Sequence, residues 1–215
     1  MISADKQVLE NLSKLGITPT GEQLALLEKY AAIVLQKNAQ LNITAAGDIK
    51  EIWSRHVADG LCALLPLRPR LAAPEPLVAD LGAGAGFTGI TLKIMLPRIK
   101  LILADSVERK CAFLNWACIT LGLGCVKVIC KRLDARNPPF AADFVLERAM
   151  GQFDDIAPVC LAATAPGGYF IAYQRPGGGM LPSDGKCPAA QRIDEITYTI
   201  PPDETPRTLV VFKRI

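Results

Sequence analysis

The residues whose types and spacing are best suited to chemistry lie in the run Val78-Ala79-Asp80-Leu81-Gly82-Ala83-Gly84-Ala85-Gly86-Phe87-Thr88-Gly89. An apolar segment ends in an acid and then turns through glycines at alternate positions. Glycine has no Cβ to keep backbone amides away from a ligand, and it accepts the positive φ of a tight strand-to-helix turn. Ile90, Leu92, Ile94 and Leu96 continue as an apolar helix that Pro97 ends. The pattern reads as a cradle for a nucleoside cofactor.

Two cofactor classes use such a turn. Gly84, Gly86 and Gly89 fit the dinucleotide fingerprint, with Asp105 about 20 residues on to take a ribose hydroxyl. The register Asp80-x-Gly82-x-Gly84-x-Gly86 instead resembles that of the class I S-adenosylmethionine (SAM) methyltransferases. SAM carries an ammonium and a sulfonium but no phosphate, so a carboxylate at the strand tip attracts it, whereas beside a pyrophosphate the same charge repels. SAM is therefore the favoured cofactor and a dinucleotide the alternative. A glycine turn without a ligand is the third reading, and it leaves the stability lost to glycine uncompensated.

Other candidates fall on the same expected edge. Asp105 ends the apolar run Lys100 to Ala104, where its carboxylate can accept from both ribose hydroxyls, or else cap the next helix, a task open to Ser106. Leu133 and Asp134 follow the third strand, where an amide and a carboxylate can read the adenine, although a solvated loop acid is the competing reading. Arg148 ends the fourth strand, free to contact a target's phosphate or base, or to pair with Glu147. Asn137-Pro138-Pro139-Phe140 looks like an amino-methyltransferase motif but precedes the fourth strand, so it reads as a proline-built loop. His56 is the only histidine and, beside Trp53, reads as a packed, hydrogen-bonded side chain, which argues against a Ser-His-Asp hydrolase. Cys160 falls inside a helix, so a cysteine nucleophile is not expected.

Composition sets the frame. At 215 residues, 50% hydrophobic and 21% charged, the chain has room for one α/β domain of about 140 residues and a smaller appendage. No apolar run approaches the roughly 18 residues of a membrane span, and Asp5 and Glu10 interrupt any secretory core in the first fifteen residues. The default expectations are the cytoplasm, no membrane contact and a monomer. Seven cysteines without a CxxC pair argue for free thiols and against a metal site, with Cys111, Cys118 and Cys125 expected on one buried helix face. A net charge of +3 permits a nucleic-acid partner, its basic residues scattered over Arg55, Lys93, Arg98, Lys100, Arg109, Lys110, Lys131 and Arg132.

The elements that must position these residues follow from periodicity. Residues 1–70 read as a helical extension: Val8, Leu9, Leu12 and Leu15, then a capping box Thr20-x-x-Gln23 opening a helix with Leu24, Leu27, Ala31 and Val34, then a helix from Asp48 to about Leu65. Arg68 to Pro76 is the linker into residues 71–215, where short apolar runs alternate with helices. Strands are expected near 77–81, 100–104, 125–130, 142–147 and 168–174, with a closing pair at 195–200 and 208–213, and a helix at 108–121.

With these residues placed, the chain resembles the bacterial small-subunit rRNA methyltransferase G family, RsmG or GidB. The matches are Asn38-x-x-x-Asn42-Ile43-Thr44, His56-x-x-Asp59, the glycine run through Phe87-Thr88-Gly89-Ile90, Asp105-Ser106, Arg109-Lys110, Phe113-Leu114, Leu121-Gly122-Leu123 and Pro166-Gly167-Gly168, all in family order. The resemblance implies an α/β class I SAM methyltransferase (Rossmann-like) fold with a seven-stranded, mostly parallel sheet. It implies methyl transfer from SAM to N7 of one guanine in 16S ribosomal RNA, alone or in the small subunit. Cofactor contacts are then Gly82, Phe87, Leu133, Asp134 and Arg148, with Asp80, Gly84, Gly86 and Asp105 added from the general class. Thr88 stands for the family's proline, Asp134 for glutamate, Glu147 for serine, Lys37 for tryptophan, and Gln174-Arg175 for Lys-Gly. No residue is expected to act as a chemical base. The cradle by itself also admits a methyltransferase of another substrate class, or a non-catalytic ribosome-assembly module.

Overall fold

A computed structural model describes residues 6–182 and 187–215, so Asp5 lies outside the described residues. The chain forms seven strands: β1 Leu77–Leu81, β2 Lys100–Asp105, β3 Val126–Cys130, β4 Ala142–Glu147, β5 Thr164–Gln174, β6 Ala190–Ile200 and β7 Asp203–Arg214. Their order across one sheet is β3-β2-β1-β4-β5-β7-β6. The first five run parallel, and β7 inserts antiparallel between β5 and β6. Val78-Ala79-Asp80-Leu81 and Phe144-Val145-Leu146 are buried throughout, as a parallel sheet covered on both faces requires. The order reverses direction between β1 and β4, where Leu81 pairs with both Ala104 and Glu147. Such a reversal opens a crevice at the carboxyl ends of the strands.

Helices α6 Gly89–Met95, α7 Glu108–Thr120 and α8 Phe153–Ala163 cover the sheet. Ahead of them, α1 Lys6–Lys14 and α2 Gly21–Leu41 begin the helical part. The capping box is present: Thr20 Oγ1 accepts from the Gln23 amide at 3.2 Å, and Gln23 Oε1 accepts from the Thr20 amide at 2.9 Å. The Gln23 side chain also donates to the Met95 carbonyl at 3.1 Å, closing an orphan acceptor at the end of α6. Tyr30, buried on α2, donates its hydroxyl to the Ala85 carbonyl at 2.8 Å. The extension thus grips the glycine loop directly, and one hydrophobic cluster runs from Val8 through Trp53 and Leu103 to Val211.

The segment from Asp48 is less regular than its periodicity predicts. Asp48 caps it, accepting from the Glu51 amide at 2.9 Å. The chain then passes from α3 Ile49–Glu51 into a π turn at Ile52–Val57, followed by α4 Ala58–Leu61 and α5 Leu64–Leu67. The wider turn carries His56 and Asp59 to the sheet edge, a use to which π turns are often put. A Cβ at Gly60 would lie 2.0 Å from the Phe87 carbonyl oxygen, so α4 and the glycine loop meet backbone to backbone.

Three boundaries differ from expectation. β5 begins at Thr164 and absorbs the Pro-Gly-Gly turn as an irregularity opposite Ala142 and Phe144. β6 and β7 begin at Ala190 and Asp203, earlier than 195 and 208. Arg192, Asp194, Glu204 and Thr205 hide these stretches, because an edge ladder needs backbone pairing and not apolar side chains. Cys111 and Cys118 are buried on α7 as expected, but Cys125 lies past the helix end, exposed, at φ 55. Among the described residues no helix is long and apolar enough to cross a membrane.

Candidate active site

The loop after β1 is built around positive φ. Gly82 sits at +66° and Gly84 at +60°, and a Cβ at Gly82 would lie 2.7 Å from Met150 Cγ. Asp80, at the strand tip, is buried, and its Oδ2 accepts from the Gly89 amide at 2.8 Å. The protein's own carboxylate thereby occupies the amide that a pyrophosphate would need, which counts against the dinucleotide alternative. Burial pushes the Asp80 carboxyl up to about 7, against the pull of the Gly89 amide and Arg148. A cation nearby would relieve that penalty.

Asp105 is held from two sides: its Oδ2 accepts from the Gly84 amide and its Oδ1 from the Val107 amide, both at 2.9 Å. Ser106 does not cap α7; Val107 occupies that position without a side-chain bond. Each Asp105 oxygen keeps a free lone pair, so the carboxylate is oriented yet still able to accept from a vicinal diol.

Three cavities surround the loop. One of about 480 Å³ is lined by Gly82, Asp105, Lys131, Leu133, Met150 and Ile156. A second of about 420 Å³ is lined by Thr44, His56, Asp80, Gly84, Phe87 and Arg148. The two meet at Gly82, Lys110 and Ala149. A third, of about 630 Å³, lies beyond Arg148 against Glu147, Phe153, Tyr173, Arg175 and Arg207, and also reaches Ala149. Ala149 holds a left-handed φ of 58° where the three converge, an uncommon angle for a residue with a side chain.

The sequence-predicted residues divide among these spaces. Asp80, Gly82, Gly84, Phe87, Asp105, Leu133 and Arg148 border the first two. Gly86 borders neither; a Cβ there would meet Ile90 Cδ1 at 2.6 Å, so its task is packing. Asp134 borders an adjoining hollow of about 860 Å³, which shares Leu133 with the first cavity and also takes Asn137 of the proline loop. Its exposed carboxylate is bound by Arg136 at 2.8 Å, which holds it down at about 2.

Arg148 pairs not with Glu147 but with Asp59, at 2.8 Å, and lies over the Phe87 ring at 5.5 Å. His56 stacks on the same Phe87 ring, 4.5 Å between centroids and 12° off parallel, and shares a hydrogen bond with Thr44 Oγ1 at 3.2 Å. Burial, then Arg148, lowers the His56 pKa to about 4, so the imidazole is neutral at pH 7. Asn38 organises the rim: its Oδ1 accepts from the Ile43 and Thr44 amides, both at 2.9 Å.

The scattered basic residues separate as well. Lys93 is buried, donating to the Pro97 and Ile99 carbonyls at 2.8 and 2.6 Å, and is lost to any RNA surface. Lys110, Lys131 and Arg132 border the first cavity. Sequence reasoning missed Tyr30, Tyr198 and Arg207, and considered Glu147 only as a partner for Arg148. Asp59 stood in a motif but carried no assigned role.

A sequence model of the rRNA small subunit methyltransferase G family (GidB) matches residues 23–177. The chain belongs to this family. The family member from Moorella thermoacetica is 36% identical over 84% of this chain and 74% of its own length. That from Pelotomaculum thermopropionicum is 30% identical over 97% of this chain and 89% of its own. Among solved structures, MtNAS in complex with MTA and tNA aligns with a TM-score of 0.59 at 14% identity, over 100% of this chain and 84% of that one. TrmN from Thermus thermophilus aligns with a TM-score of 0.55 at 18% identity, over 73% and 49%. These likenesses establish the class I, Rossmann-like fold, with the family's methyltransferase chemistry resting on sequence.

Proposed function

We propose that this protein transfers a methyl group from S-adenosylmethionine to N7 of a guanine in 16S ribosomal RNA, as a cytoplasmic monomer acting on the small subunit or its RNA. The observation that carries the reading is a glycine cradle flanked by two buried acids, Asp80 and Asp105. The donor set fits the cofactor: Asp105 for the ribose diol, Leu133 beside the adenine, Gly82 and Gly84 for backbone approach, and Asp80 with Phe87 and Arg148 around the amino-acid end. Asp134, facing the neighbouring hollow and tied to Arg136, takes part only if that ion pair opens.

When bound, S-adenosylmethionine supplies an electrophilic methyl on its sulfonium. Guanine N7 already offers a lone pair and no proton, so the chain's task is alignment, and no side chain is assigned as a base. Holding the reacting atoms about 3–3.5 Å apart and in line is worth on the order of 7–11 kcal/mol in favourable cases. The methylated base becomes cationic, and the buried carboxylates of Asp80 and Glu147 near Ala149 favour that charge. Two measurements test the reading: calorimetric titration with SAM, and tritium transfer to purified small subunits followed by mass spectrometry of 16S rRNA. Binding and transfer, both lost in Gly84→Asp, are expected; absence of SAM affinity in the wild type refutes it.

A further inference from the structure

We propose that Glu147 reads the Watson–Crick edge of the target guanine, its carboxylate accepting from N1–H and the N2 amine of a base seated in the cavity of about 630 Å³ beyond Arg148. This rests on the functional reading above and names the residue that selects the base. Of the three converging cavities, Glu147 borders only this one. The loop glycines and Asp105 border the other two, so the third is left for the base. Its volume falls within the about 300–1,000 Å³ usual for small-ligand sites.

The carboxylate is 1% exposed as a residue and half satisfied: Oε1 accepts from the Met150 amide at 2.8 Å, while the buried Oε2 has no hydrogen-bond partner. A buried polar atom without a partner is uncommon and asks for a ligand or another explanation. Oε2 and the second lone pair of Oε1 form a pair of adjacent acceptors. Guanine alone among the four bases presents two adjacent donors, N1–H and the N2 amine; adenine and cytosine offer a ring acceptor there, and uracil flanks one donor with acceptors. Burial raises the carboxyl to about 7, and donors from the base would draw it back to the ionised form. A base extruded from RNA is read on this edge and stacked on an aromatic wall, which Phe153 provides. N7 lies across the purine from the N1–N2 edge. A guanine gripped by Glu147 therefore holds N7 away from that carboxylate, in a cavity that adjoins both cofactor cavities at Ala149. The family resemblance puts a serine at this position, so the contact belongs to this chain and not to the family pattern.

Glu147→Gln is the decisive variant. Because the Met150 amide keeps the side-chain oxygen on its own side, the new amide nitrogen turns its hydrogens toward the base donors. Tritium transfer to small subunits, SAM titration and thermal melting are measured for the wild type, Glu147→Gln and Glu147→Ala. The expected result is an unchanged melting temperature or a higher one, SAM affinity within twofold, and kcat/KM lower by about 10–100-fold in Glu147→Gln. With inosine replacing the target guanine in reconstituted subunits, the wild type loses about tenfold, and Glu147→Ala no longer distinguishes the two bases. Unchanged transfer in Glu147→Gln, loss of SAM affinity in both variants, or a guanine preference intact in Glu147→Ala overturns the proposal. A wild type that binds SAM but transfers nothing to small subunits overturns the functional reading, and this inference with it.

Discussion

Asp59→Asn tests whether charge locks the helical extension to the catalytic sheet. The Asp59 carboxylate accepts from Arg148 Nη1 at 2.8 Å, from Arg207 Nη1 at 3.0 Å and from the Tyr198 hydroxyl at 2.7 Å. Those donors come from just past β4, from β7 and from β6, so one side chain of α4 ties three distant segments. The side chain of Asp59 is 9% exposed and those of Arg148 and Arg207 19% and 20%, which places the cluster closer to a buried pair than a surface one. Removing one partner of a buried pair destabilises by about 3–5 kcal/mol, because the opposite charge stays buried and uncompensated. Asparagine keeps the shape and one acceptor oxygen, so the lower end, about 3 kcal/mol, is expected. In a domain of this size each kcal/mol shifts Tm by about 2–4 °C, giving a fall of about 6–12 °C. Urea titration followed by tryptophan fluorescence measures it, since Trp53 is buried in the extension. Asp194→Asn is the control: that carboxylate pairs with Arg70 at 2.6 Å but is 36% exposed, so about 0–1 kcal/mol is expected. A loss at Asp59 no greater than at Asp194 refutes the reasoning, as does a double cycle with Arg207→Met that shows no coupling.

Three further outcomes follow from the site. Asp80 titrates at about 7 when folded and near about 3.9 when unfolded, so the folded chain binds more protons between these values and loses stability as pH rises through that window. Asp80→Asn should therefore gain on the wild type in urea melts from pH 4 to 7 and hold that advantage above; wild-type SAM affinity should tighten through pH 7 while the variant's does not. Gly82→Ala places a methyl 2.7 Å from Met150 Cγ at a left-handed φ and should lose about 1–2 kcal/mol by thermal melting, with weaker SAM binding by calorimetry. For RNA binding followed against salt, Arg132→Ala should lower the slope by about 1, whereas Lys93→Met, whose amine is spent on two carbonyls, should leave it unchanged.

What was legible in the chain is what short-range chemistry encodes. Thr20-x-x-Gln23 closed its capping box because both partners lie one helical turn apart. β1, β2 and β4 fell where expected because strands buried on both faces must be largely apolar. An edge ladder carries no such demand, and the β6–β7 pair ran past its apolar stretches. The His56-x-x-Asp59 motif was visible as spacing, but a π turn gave it meaning by swinging Asp59 onto Arg148.

The amino-acid order alone made the tight turn legible: alternate glycines after Asp80 allow positive φ and close backbone approach, and that property is local. Tertiary structure decided which charges meet. Arg148 had an acid next to it in sequence and pairs instead with one 89 residues away. Glu147, left beside a cavity with one oxygen unpartnered, followed from the same choice. Charge pairing depends on distance in space and on burial, and neither exists until the chain has folded.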